Sequence, residues 1–126
     1  MTRISRNITF DQARDLLERG ARACLAFASD HGTQAQPVVV IWHDARFFVG
    51  MPQAAAQKPA PASEVVLLVD EGIHFFDLRA LYVRGHAHPV EPPPSAPSGH
   101  TWFELIPLKT VAWDYGTLHE ESSDEA

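Results

Sequence analysis

Ala23-Cys-Leu-Ala-Phe-Ala28, Gln36-Pro-Val-Val-Val-Ile-Trp42 and Arg46-Phe-Phe-Val-Gly-Met51 follow one another closely, and their reading decides the fold. Each is an apolar or β-branched run of strand length. Between them stand Ser29-Asp-His-Gly32 and His43-Asp-Ala45, both rich in residues that tolerate tight turns. The reading is three consecutive strands joined as hairpins, and the unbroken Val-Val-Val-Ile predicts burial on both faces of the middle one. Further along the chain, Glu64 to Asp70 and Leu81 to Val90 read as strands, and Phe103 to Tyr115 as a long, bent one interrupted at Pro107. Before the first strand, Thr9-Phe-Asp-Gln12 forms a capping box, Phe10, Ala13, Leu16 and Leu17 repeat at helical spacing, and Gly20 suits a left-handed stop. A short amphipathic helix of about three turns is expected there. The fold class is mainly β (α+β), with six strands around one helix.

Two stretches interrupt this pattern. Pro52 to Ser63 holds three prolines and five alanines, and the missing donors and ring clashes of proline disfavour a long helix. Pro89 to Gly99, with five prolines, reads as an extended surface connection. The chain of 126 residues fits one domain, 1–118, followed by an acidic tail, 119–126, expected to be disordered. Four of the 16 acidic residues lie in that tail, so the net charge of −6 leaves a nearly neutral body. Without clustered Lys and Arg, nucleic acid is not an expected partner. The longest apolar run is too short to span a bilayer, the start Met-Thr-Arg-Ile-Ser-Arg lacks a signal-peptide core, and the lone Cys24 forms no internal bridge. A cytoplasmic protein, with no membrane partner, is expected.

Several pieces, in order and spacing, resemble the pyridoxamine 5′-phosphate oxidase-like, FMN-binding split-barrel superfamily. Ala23 to Ala28, with Asp30-His-Gly32 and Pro37-Val-Val-Val, resembles its first hairpin, and Asp44-Ala-Arg-Phe-Phe-Val-Gly its third strand. Lys58 falls where a lysine commonly follows that strand. Tyr82-Val-Arg-Gly-His-Ala87 and Ile106-Pro-Leu-Lys-Thr-Val-Ala-Trp113 resemble two later strands. The resemblance implies a six-stranded antiparallel split β-barrel with a short N-terminal helix. It also implies a homodimer binding FMN between subunits, and an oxidoreductase acting on a small molecule. By carry-over, Lys58 holds the phosphate with Gln57 beside it, while Val39, Val40, Ile41, Val49, Gly50 and Met51 border the ring. Trp113 covers its edge across the dimer. The chain departs from the family where a threonine gives way to Gly50 or Met51, a serine to Ala56, and a helix to Pro59-Ala-Pro-Ala-Ser. The second reading is therefore a split-barrel dimer without catalytic activity, acting as a ligand-binding or interaction module.

Other chemistries find less in the sequence. His86-x-His88 puts two imidazoles on one strand face, a spacing zinc sites use, with His43, His74 or His100 to complete a set. On this reading the pair is a surface or interface feature. An axial haem histidine and a deazaflavin are further alternatives. Cys24 lies in an apolar strand, where burial suppresses the thiolate, and neither a nucleophile elbow nor a glycine-rich phosphate loop is present.

Overall fold

The computed structural model describes residues 2–116 and 119–122. The strands are β1 (Thr2–Ser5), β2 (Asn7–Ile8), β3 (Arg22–Ser29), β4 (Gly32–His43), β5 (Arg46–Pro52), β6 (Ser63–Glu71), β7 (Arg79–Pro89), β8 (His100–Asp114) and β9 (His119–Ser122). The six strands β3 to β8 form an antiparallel barrel in the order β8-β5-β4-β3-β6-β7, closed by the pairing of β7 with β8. β2 adds to β8 as a seventh strand, and β1 pairs with β9. Thus four residues of the stretch expected to be disordered are in a strand; residues 123–126 lie outside those described.

Both predicted hairpins are present. Asp44 (φ 52°) and Ala45 (φ 58°) turn β4 into β5 with two left-handed residues, the turn whose twist matches that of the flanking strands. In the other turn, Ser29 Oγ accepts from the His31 N–H at 3.1 Å.

The capping box forms as expected, with reciprocal bonds between Thr9 and Gln12. The helix itself is broken into α1 (Phe10–Ala13) and α2 (Asp15–Glu18). The cause comes from the barrel: Arg79 on β7 donates to the Gln12 carbonyl at 2.8 Å, a group an unbroken helix would use for Leu16. Leu17 bonds to the Arg14 carbonyl instead, a tighter turn. The Arg79 guanidinium also pairs with Asp15 and Glu71, and these charges bind the helical segment to β6 and β7. Gly20, at φ 69°, ends the segment.

Inside the barrel, Leu25, Phe27, Phe47, Val49, Met51, Val65, Leu67, Val69, Leu81, Val83, Phe103 and Leu105 form one core, packed with Ala13, Leu16 and Leu17. Each large apolar side chain removed from water contributes about 1.5–3 kcal/mol. Phe10, Trp42 and Phe47 add an aromatic cluster with ring centroids 4.7–6.0 Å apart, which holds the helical segment to the core.

Two details differ from expectation. β4 is half-buried rather than enclosed: Val38, Val40 and Trp42 pack on the core, so Val39 and Ile41 face outward. β8 runs unbroken through Pro107, because the missing donor is absorbed by a bulge in the β7–β8 pairing opposite Arg84 and Gly85. A Cβ on Gly85 would stand 2.1 Å from the Ile106 carbonyl oxygen, so glycine is required there.

Candidate functional site

Adjacent strands set most of the candidate residues in register: Val39 opposite Gly50, Val40 opposite Val49, and Ile41 opposite Phe48. Val49 and Met51 are core residues, 1 % and 0 % exposed. Val49 is paired with Val40 on β4 and with Phe103 on β8, and Met51 with Thr101 on β8, so neither side chain is offered outward. Val40 likewise packs on the core. Val39, Ile41 and Gly50 point to the outer face. Ala23 opposite Val38 is the last pair of the β3–β4 ladder, so from Val39 onward the β4 main chain has only β5 as a ladder partner.

Gly50 is covered. A Cβ there would lie 2.7 Å from Cη2 of Trp102, whose six-membered ring rests on the glycine. Sequence reasoning missed Trp102. The available signal was a glycine inside a strand, which marks a close approach without naming the approaching group. Trp102 and Phe48 sit on outward positions of β8 and β5 yet are 3 % and 4 % exposed. The proline-rich segment after β7 is tied beside them: Val90 donates to the Trp102 carbonyl at 3.1 Å, and Gln53 to the Gly99 carbonyl at 2.9 Å. Between the β4–β5 turn and Val90 to Pro94 remains a hollow of about 460 Å³, which His43, Asp44, Arg46 and Phe48 also line.

Beside that hollow, Arg46 donates to both carboxylate oxygens of Glu104, at 3.0 and 2.5 Å, and its guanidinium stands 4.7 Å from the Phe48 ring centroid. The Arg46 hydrogen bond holds the Glu104 carboxyl below its ordinary range and raises the arginine's own pKa. His86 and His88 lie on β7 opposite Ile106 and Glu104. Among the described residues no three His, Cys, Asp or Glu side chains come together to hold a metal, so the zinc alternative has no ligand set there.

Gln57 and Lys58 do come together. In the connection between β5 and β6, they line a cavity of about 360 Å³ with Ala28, Ser29, Asp30 and Ala60. Lys58 Nζ donates to the carbonyls of Ala55 at 3.1 Å and Gln53 at 3.4 Å. An ammonium has three donors, so one remains for a ligand, and the Gln57 amide supplies more. The site thus fits one phosphate group, held by few bonds and opposed by the Asp30 carboxylate. Ser29 and Asp30 were not foreseen here, because it is the long-range β3–β6 pairing, Phe27 opposite Val65, that carries their turn to the segment before β6.

Trp113 lies elsewhere, in a cavity of about 380 Å³ with Leu68, Asp70, Leu78, Ala80, Tyr82 and Tyr115. That lining has no residue in common with the cavity at Lys58.

Comparison with protein-family models and with curated protein sequences finds no match. Solved structures do match. The FAD binding protein from Mycobacterium smegmatis superposes with a TM-score of 0.65 at 16% identity, over 86% of this chain and 98% of that one. A Corynebacterium glutamicum protein provisionally named a pyridoxamine 5′-phosphate oxidase gives 0.63 at 12%, covering 90% and 96%. A FAD-binding protein from Mesorhizobium loti gives 0.58 at 13%, covering 97% and 98%. At such identities the likeness is one of fold. This chain, a closed six-strand antiparallel barrel with a short helical segment, shares its fold with these structures, as the sequence resemblance to the split-barrel superfamily implies.

Proposed function

We propose that the protein is a cytoplasmic homodimer that binds a flavin, FMN in particular, and acts as an oxidoreductase on a small molecule. One observation carries the reading: Lys58 and Gln57 open into a single cavity, in a fold shared with structures named as FAD-binding. Lys58 would hold the phosphate by a charge-assisted bond, with the Gln57 amide as second donor. Val39 and Ile41 would offer the ring an apolar floor and β4 main-chain groups. Trp113, lining a different cavity, would reach this flavin only from the second protomer. When bound, the flavin supplies the redox chemistry, and the protein supplies placement and exclusion of water.

With one free ammonium donor and Asp30 nearby, affinity should be modest, with Kd on the order of 1–100 μM. The test is the visible spectrum of the purified protein, followed by titration with FMN and FAD. Flavin bands that sharpen on binding, with Kd raised about tenfold or more in Lys58→Ala, are expected. If neither flavin binds at about 1 mM, the proposal fails.

A second reading, a split-barrel dimer that binds a ligand without redox chemistry, is favoured by the bonds already tying Lys58 to Gln53 and Ala55. It expects a colourless dimer that ignores FMN.

A further inference from the structure

The hollow of about 460 Å³ beside the β4–β5 turn takes no part in the flavin reading, and its lining shares no residue with the cavity at Lys58. Backbone fixes both of its sides. Asp44 and Ala45 hold the turn in left-handed conformations. Opposite them, Val90 donates to the Trp102 carbonyl, and Ala96 donates to that of the buried Pro93 at 3.2 Å across a left-handed Ser95 (φ 63°). Pro92, Pro93 and Pro94 all line this side, and without N–H groups they present only ring methylenes and carbonyl oxygens. Phe48 and Val90 add apolar surface.

Three side chains bring formal charge to the lining: Asp44, Arg46 and Glu91. Arg46 is already engaged, since its Nε and Nη2 both donate to Glu104 and its guanidinium lies over the Phe48 ring. Two carboxylates are left, one on the turn and one on the proline-rich segment. Glu91 has no hydrogen bond or ion pair among the described residues, while Asp44 stands 3.3 Å from the His43 imidazole and acts on Arg46 at longer range. Acceptors thus outnumber donors around an aliphatic surface. Such a lining selects a ligand that brings N–H donors, positive charge at both ends and a hydrocarbon stem. The volume lies in the range of small-molecule sites.

We propose that this hollow binds a short aliphatic diamine as its dication, one ammonium on Glu91 and the other on Asp44, with the methylene stem against Val90 and the prolines. Each end makes a charge-assisted hydrogen bond from an ammonium to a carboxylate. The site needs no flavin.

Isothermal titration calorimetry of the full chain with putrescine, at about 20 mM salt to limit screening, tests the proposal. One site per chain is expected, with Kd on the order of 0.1–1 mM. γ-Aminobutyrate, in which a carboxylate replaces one ammonium, should bind at least about tenfold more weakly, because its anionic end meets a carboxylate. Glu91→Gln should weaken putrescine about fivefold to tenfold, and so should Asp44→Asn, which keeps a residue that tolerates the left-handed turn. Glu64→Gln removes the same charge from β6, away from the hollow, and should leave the affinity within about twofold. All three positions are exposed, and an unchanged circular dichroism spectrum confirms that each variant folds. Absence of saturable binding up to about 10 mM overturns the proposal, as does wild-type affinity in Glu91→Gln or Asp44→Asn. An equal loss in Glu64→Gln also overturns it, because general attraction to a chain of net charge −6 then accounts for the binding. γ-Aminobutyrate binding as tightly as putrescine assigns the hollow to a zwitterion and overturns the diamine. No arm contains flavin, so failure of flavin binding at Lys58 leaves every outcome untouched.

Discussion

Gly85 shows how a single residue sets the barrel's closure. It stands at the bulge where β7 and β8 change register, and the Ile106 carbonyl occupies the space a Cβ would need. Backbone cannot swing away as a flexible side chain can. Gly85→Ala should therefore destabilise the protein by about 2–4 kcal/mol, read as a lower urea midpoint with little change in slope. A midpoint within error of wild type would show that the bulge relaxes. Gly50 differs, because its neighbour is the Trp102 ring rather than main chain. Both glycines are visible in the sequence as interruptions of strands. What each accommodates is not, since Ile106 and Trp102 arrive from β8 through long-range pairing. Lys58 follows the same pattern: its position after the third barrel strand is legible, while the Asp30 that opposes an anion comes from a turn 28 positions earlier.

At the scale of elements, Arg79 connects the helical segment to the sheet. Its guanidinium reaches Asp15 at 2.7 Å, Glu71 at 3.2 Å and the Gln12 carbonyl at 2.8 Å. The hydrogen bond from Arg79 is the largest cause that lowers the Asp15 pKa. A carboxyl whose folded pKa lies below its unfolded value of about 3.9 contributes stability that is present above that value and is lost as pH falls through the folded one. Asp15 is 42% exposed, so solvent screens the pair and the contribution at neutral pH is about 0.5–1 kcal/mol. Arg79→Met should lose this increment at pH 7 and show a shallower decline between about pH 5 and 2 than wild type. Parallel stability–pH curves for the two proteins would remove Arg79 from this role. The capping box at Thr9 was legible because it lies within four residues. The break at Arg14 was not, because the competing donor is 67 positions away.

For the whole molecule, the two sides of the barrel differ. Outward positions on β5 and β8 lie beside the proline-rich segment, and Phe48 and Trp102 are buried. On β4, β3 and β6 the central outward residues are small or apolar and half-buried or exposed (Pro37, Val39, Ile41, Cys24, Ala26, Val66 and Leu68), with the charged Arg22, Glu64 and Asp70 toward the strand ends. The proposed dimer would use this face, whose Ala26 sits centrally, opposite Ala35 and Val66 in the neighbouring strands. Stable interfaces bury about 1,200–2,000 Å² in total with an apolar centre, so one charge there is highly disruptive. Sedimentation should find a dimer at micromolar concentration for the wild-type protein and a monomer of unchanged secondary structure for Ala26→Glu. A wild-type monomer up to about 100 μM would exclude the dimer. The local sequence by itself determined the strands, their two tight turns and the cap, because alternation, turn chemistry and capping act over a few residues. Only the tertiary structure decided that Val49 and Met51 face the core, that Trp102 covers Gly50, and that Lys58 and Trp113 line different cavities. Those outcomes depend on strand register and barrel closure, and residues distant in the chain meet only when the whole sheet has formed.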